Sequence, residues 1–131
     1  MLNEIRDSNP DFQLIFVYGS LKRGQTLHYL LRDQPFVGEA WTIAEYRLFH
    51  LGAYPGLVQS DSGISVQGEL FRVDAACLKR LDIAEGVDEG LYQRKPIQLL
   101  PPFQLQQAQA WFYCRSVSAA EDCGNYWGGN H

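Results

Sequence analysis

Val17-Tyr18-Gly19-Ser20-Leu21-Lys22-Arg23-Gly24-Gln25-Thr26 stands where one kind of patterning gives way to another. Upstream, Phe12 to Tyr18 is a short apolar run of the kind that fills a buried strand. Downstream, Leu27, Leu30 and Leu31 fall at i, i+3 and i+4, which predicts a helix over about Thr26 to Arg32. The segment between them is a strand-to-helix turn. Successive backbone N–H groups in such a turn form an anion-binding nest, assisted by the positive end of the following helix. Gly19 to Thr26 approaches the phosphate-loop pattern G-x-x-x-x-G-K-[ST], but Gln25 stands at the lysine position. A nucleotide site loses its main charge partner there. A loop that holds one carboxylate or oxyanion needs N–H donors and no lysine. The same residues also suit a plain turn in which Gly19 and Gly24 only relieve backbone strain.

Most of the remaining chain reads as strands set between turn signals. Ile64, Val66 and Leu70 alternate with Ser65, Gln67 and Glu69, the two-residue period of a half-buried strand. Phe36 to Ile43, Tyr46 to Leu51, Tyr92 to Leu99 and Ala108 to Cys114 are further strand candidates. Pro55-Gly56, Ser60 to Gly63, Gly86 to Gly90 and Pro101-Pro102 punctuate them, and the Ser60 to Gly63 turn suits a hairpin. A second helix is better marked: Asp74 is a good N-cap, Val73 before it can staple to Leu78, and Gly86 suits a left-handed C-terminal residue. One or two short helices among six or so strands predict an α+β domain with a strongly curved or closed sheet.

The chain has 131 residues, enough for one domain with its own core. Its 11 Lys+Arg against 15 Asp+Glu leave a net charge of −4, and the cations are scattered between acids, which disfavours a nucleic-acid partner. Cys77, Cys114 and Cys123 show no C-x-x-C spacing, so neither a disulfide framework nor a zinc site is expected, and a reducing cytoplasm is the simpler setting. No apolar run approaches the ~20 residues a bilayer requires, so no membrane role is expected. Met1 to Pro10 reads as a polar leader rather than a secretory signal, with the domain running from 11 to 131. Oligomeric state is left open.

Within the second helix, Leu78 and Leu81 define the apolar face, and Glu85 falls on that face near the C-terminal end. Desolvation and the negative pole of the helix both push its pKa upward, toward the range that general acid/base catalysis needs. A frayed last turn would instead leave Glu85 pointing into solvent. Glu69, on the polar face of a strand, is a weaker candidate of the same type. His28, His50 and His131 have no metal-ligand spacing, and Ser20 lacks the G-x-S-x-G surround of a nucleophile elbow, so neither a metal site nor a serine nucleophile is expected.

Val17-Tyr18-Gly19-Ser20-Leu21-Lys22-Arg23-Gly24 resembles the signature loop of the γ-glutamylcyclotransferase-like superfamily. Its spelling is closest to the γ-glutamylamine cyclotransferase branch. The likeness continues through Tyr54-Pro55-Gly56-Leu57, Val66-Gln67-Gly68-Glu69-Leu70-Phe71, Leu81-Asp82-Ile83-Ala84-Glu85-Gly86, Tyr92-Gln93-Arg94 and Ala110-Trp111-Phe112-Tyr113. The C-terminal Asn125 to His131 matches nothing comparable. The resemblance implies a single small mixed β-barrel with short flanking helices. It implies an enzyme that cyclises a γ-glutamyl amide to 5-oxoproline and releases an amine or amino acid, with no cofactor. Tyr18, Gly19, Ser20 and Leu21 would hold the γ-glutamyl moiety, Glu85 would be the acid/base, and Tyr92 would help line the pocket. The rival expectation is a ligand-binding or interaction domain on the same fold without catalysis.

Overall fold

The computed structural model describes residues 12–128, so the leader expected at Met1 to Pro10 lies outside the described residues, as does His131. Eight strands follow in chain order: β1 Phe12–Val17, β2 Phe36–Trp41, β3 Tyr46–His50, β4 Pro55–Gln59, β5 Gln67–Asp74, β6 Tyr92–Ile97, β7 Ala108–Tyr113 and β8 Glu121–Gly124. One α-helix, α1, spans Ala75–Ala84 between β5 and β6. The strands form a five-stranded sheet in the order β2-β5-β1-β7-β6 and a three-stranded sheet in the order β4-β3-β8. All the named pairings are antiparallel except β1 with β7. The class is α+β, as read from the sequence.

Strand alternation sorts the apolar side chains of the larger sheet into two cores. Phe16, Leu70, Ala110 and Phe112 face the smaller sheet and pack with Tyr46, Leu48 and Leu57. Ile15, Val17, Phe71, Val73 and Trp111 face the other way and pack with Cys77 and Leu81 of α1 and with Leu31. The central strand β1 contributes to both, which is why its sequence reads as a continuous apolar run.

Among the described residues no sheet closes into the expected barrel. The edge strands β2 and β6 approach each other just beyond their ends, where Thr42 and Leu99 form an isolated antiparallel bridge and Leu100 N–H donates to the Trp41 carbonyl. The ladder cannot continue along that strand, because Pro101 and Pro102 have no N–H to donate, and Pro96 within β6 has none either. The larger sheet therefore curls until its edges touch at one corner.

Local differences have similar causes. The helix expected over Thr26 to Arg32 is a four-residue 3-10 turn, His28–Leu31, with no side-chain cap at Leu27. The preceding bonds, Lys22 N–H to Gly19 and Gln25 N–H to Lys22, are i to i+3 turns that a regular helix does not continue. The strand expected over Ile64 to Leu70 starts later and runs to Asp74, while Ile64 makes only an isolated bridge to Tyr46. The hairpin expected at Ser60 to Gly63 is replaced by pairing of β3 with β4, joined through residues 51–54.

Candidate active site

Helix α1 starts and stops as its sequence dictates. The Asp74 carboxylate accepts from the Cys77 backbone N–H at 2.7 Å, and that bond holds the Asp74 pKa below its ordinary value. At the other end Glu85 is the C-cap, and Gly86 follows with φ 68°, the left-handed conformation that suits glycine. The helix thus ends one residue short of Glu85 and delivers its carboxyl to the end of β1.

There, a cavity of about 90 Å³ is lined by Tyr18, Gly19, Ser20 and Leu21 on one side and by Glu85 and Tyr92 on another. The structure brings all six expected site residues together around this space. Glu69 is not among them: it accepts from Arg23 N–H at 2.8 Å and pairs with the Arg23 guanidinium at 3.2 Å. The walls include residues that motif reasoning did not place there, chiefly Tyr54, Pro55, Leu91 and Trp111. Tyr54 and Pro55 belong to a stretch quoted for the resemblance, as does Trp111, but no local pattern marks them as cavity walls. Among the described residues, no group of three His, Cys, Asp or Glu side chains is placed to hold a metal ion.

The loop after β1 is shaped by close approach. An added Cβ at Gly19 would lie 2.5 Å from Pro55 Cγ and 2.7 Å from Pro55 Cδ, so no side chain fits. Gly24, by contrast, has φ 82° and open space around it. Of the two glycines, only Gly24 serves to relieve backbone strain. Among the described residues, the backbone N–H groups of Gly19, Ser20 and Leu21 meet no protein acceptor, whereas Lys22 N–H is spent on the Gly19 carbonyl. No helix N-terminus supports this nest, since only the short 3-10 turn follows. Gly19→Ala is expected to cost about 1–2 kcal/mol through the clash with the rigid Pro55 ring. Thermal unfolding of the purified variant checks this, and an unchanged melting temperature would show that the two segments separate freely.

Two phenols brace the cavity. Tyr18 Oη–H donates to the Trp111 carbonyl and Tyr92 Oη–H to the Pro55 carbonyl, each at 2.7 Å. Burial, with further contributions from neighbouring acids including Glu85, pushes both phenols well above the ordinary tyrosine range. Both therefore stay protonated across the physiological range. Behind the wall, Asp82 receives a two-pronged bond from Arg94, at 2.9 and 3.0 Å, and a third from the Trp111 indole N–H at 2.8 Å. Arg94 also donates to Gln109 on β7.

Among the described residues, Glu85 is the one carboxyl on the cavity wall. Burial pushes its pKa up to about 7 from an ordinary 4.5, and the Asp82 carboxylate one turn earlier adds to the rise. Its position at the negative end of α1 acts in the same direction. Among the described residues its carboxyl has no hydrogen-bond partner, which leaves both oxygens available to a ligand.

The family model described as gamma-glutamyl cyclotransferase, AIG2-like, matches residues 15–127. A Vibrio cholerae protein, whose name assigns it only provisionally to the gamma-glutamylcyclotransferases, is 42% identical over 100 residues, 76% of this chain and 79% of that one. The gamma-glutamylcyclotransferase family protein YtfP of Escherichia coli K12 is 37% identical over 99 residues, again 76% of this chain and 79% of that one. The crystal structure of an AIG2-like protein from Mus musculus superposes with a TM-score of 0.67 at 28% identity, covering 88% of each chain. With a family model spanning nearly all the described residues, and relatives well above 30% identity over most of their length, this chain belongs to the AIG2-like gamma-glutamyl cyclotransferase family.

Proposed function

We propose that this protein cyclises a γ-glutamyl amide to 5-oxoproline and releases the free amine, with Glu85 as the acid/base. The observation that carries this reading is a carboxyl on the cavity wall that has no hydrogen-bond partner among the described residues and a pKa raised to about 7. Gly19, Ser20 and Leu21 line the same cavity, and their N–H groups meet no acceptor among the described residues. Among the described residues no Lys or Arg lines it, so these donors are the groups that take the substrate's α-carboxylate. Tyr18 and Tyr92, each tied to a backbone carbonyl, keep the pocket's shape.

The chemistry then needs little more. Glu85 takes a proton from the substrate's α-ammonium, and the freed amine attacks the γ-carbonyl carbon to close a five-membered ring. The C–N bond to the leaving amine breaks as Glu85 returns the proton to that nitrogen, and the second proton shed by the ring nitrogen follows by way of the same carboxylate, so that the lactam is neutral and the amine leaves as an ammonium ion. Ring closure is intramolecular, so holding the folded conformer converts lost flexibility into rate. A carboxyl whose pKa lies near the working pH serves both proton transfers in turn. The test is to incubate the full chain with a panel of γ-glutamyl amides, with amino-acid and simple-amine leaving groups, and assay 5-oxoproline. Product from one class is the expected result. Ligand binding without product across the panel would make the protein a binding domain on this fold.

A further inference from the structure

Lys22 is 2% exposed, among the most deeply buried large side chains in the protein, and it does not line the cavity. Among the described residues no carboxylate pairs with it. Its Nζ donates instead to the Trp127 backbone carbonyl at 2.6 Å and sits 3.5 Å from the centroid of the Tyr126 ring. A buried ammonium held by a carbonyl dipole and an aromatic face is costly to desolvate, so these two contacts are what retain it. Both come from the segment that follows β8, about a hundred residues away in the chain.

That segment also touches the loop elsewhere. Trp127 is 3% exposed although it lies near the end of the chain, and its indole Cε3 stands 3.8 Å from where a Gly19 side chain would begin. Gln67 N–H donates to the Asn125 carbonyl at 2.8 Å, which fixes the segment's path onto β5. Gly19 is thus confined between Pro55 and Trp127, directly before Ser20 and Leu21, whose N–H groups meet no acceptor among the described residues.

We infer that Lys22 is a positioning residue for the donor loop: it fastens the Tyr126–Trp127 segment onto residues 19–21, so that the C-terminal segment holds the cavity's N–H wall in place. The inference rests on the proposed function only where it assigns those N–H groups to the substrate's α-carboxylate. The clamp itself does not depend on turnover. Loss of the ammonium lets segment and loop relax together, which weakens substrate binding more than it slows chemistry at Glu85.

The test is Lys22→Met in the full chain, which keeps most of the apolar stem and removes the cation. KM for the best γ-glutamyl amide is expected to rise about tenfold with kcat within about threefold, since a misplaced loop costs binding geometry. A merely structural loss would instead reduce the folded fraction, lowering kcat and leaving KM alone. Backbone hydrogen exchange is the readout independent of activity: the amides bonded to the two segments, Lys22 and Leu27 onto the Gly19 and Ser20 carbonyls and Gln67 onto the Asn125 carbonyl, should exchange at least about tenfold faster on both sides, while β1 and β7 stay protected. If Lys22→Met does not fold, Tyr126→Leu removes one of the two contacts at a half-exposed position and should raise KM about threefold, with the same paired exchange. A folded variant with KM within twofold of the parent, or faster exchange in only one of the two segments, overturns the inference. Absence of 5-oxoproline from the unmodified protein would defeat the proposed function, and the paired exchange would still decide the clamp.

Discussion

Glu85→Gln is expected to lower kcat for release of 5-oxoproline by about 10²–10⁴-fold while leaving substrate binding within a few-fold. Gln keeps the volume and the hydrogen-bonding shape of the side chain but can neither accept the α-ammonium proton nor return one to the leaving amine. The backbone at this position is already committed: Glu85 N–H donates to the Leu81 carbonyl at 2.9 Å and Gly86 takes up the left-handed turn, and neither depends on the side chain. The variant should therefore fold. In the parent protein the carboxylate form starts the reaction, so kcat/KM should rise with pH through an acidic limb near the raised pKa of about 7. That limb should disappear with Glu85→Gln. Full turnover in the variant, or a limb near 4.5 in the parent, would remove Glu85 from the reaction.

How much of this was legible beforehand depends on how local each determinant is. Helix α1 was readable from both ends, because an N-cap aspartate, a staple pair and a C-terminal glycine act within one turn of themselves. The placement of Glu85 followed from that. The first helix failed for the same kind of reason: three leucines at helical spacing mark an apolar face, but nothing caps it at Leu27, and it stays a 3-10 turn. Strand β4 was hidden because Pro55-Gly56 carries a turn signal. Yet Pro55 is the first residue of an edge strand, where a missing N–H costs no ladder bond. Strand β8 is four mostly polar residues, and only pairing with β3 makes it a strand.

The cavity walls were the least legible part. Trp111 lies on β7, and its indole N–H donates to Asp82, which Arg94 in turn grips, a network drawn from α1, β6 and β7. Tyr54 and Pro55 arrive by packing of the smaller sheet against the larger one. No periodicity within either segment encodes that meeting, since it is a property of two cores sharing one central strand. The close approach of Pro55 to Gly19 is likewise tertiary. The glycine is visible in the sequence, but the reason for it lies thirty-six residues further along the chain.

A second large effect follows from the same carboxyl and concerns stability rather than rate. Glu85→Gln is expected to make the protein more stable than its parent above neutral pH, by about 2 kcal/mol. The acid's pKa is raised in the folded state to about 7 from an ordinary 4.5. Between those values the native protein keeps a proton that the unfolded chain has released. The native state then binds more protons, so unfolding becomes easier as pH rises across that window and levels off above it. Gln carries no such proton, so the gap between variant and parent should be near zero around pH 4 and fully open by pH 8. The expected size is the linkage value for such a shift, reduced for the part of Glu85 that stays accessible from the cavity. Denaturant unfolding of both proteins at pH 4, 6 and 8 measures the gap directly, and other titrating groups cancel in the difference. Parallel stability curves would mean that the carboxyl is solvated like any surface acid, leaving no raised pKa for catalysis to use. A gap that opens with pH would mean that folding itself is weakened by holding a half-buried acid ready at the cavity wall.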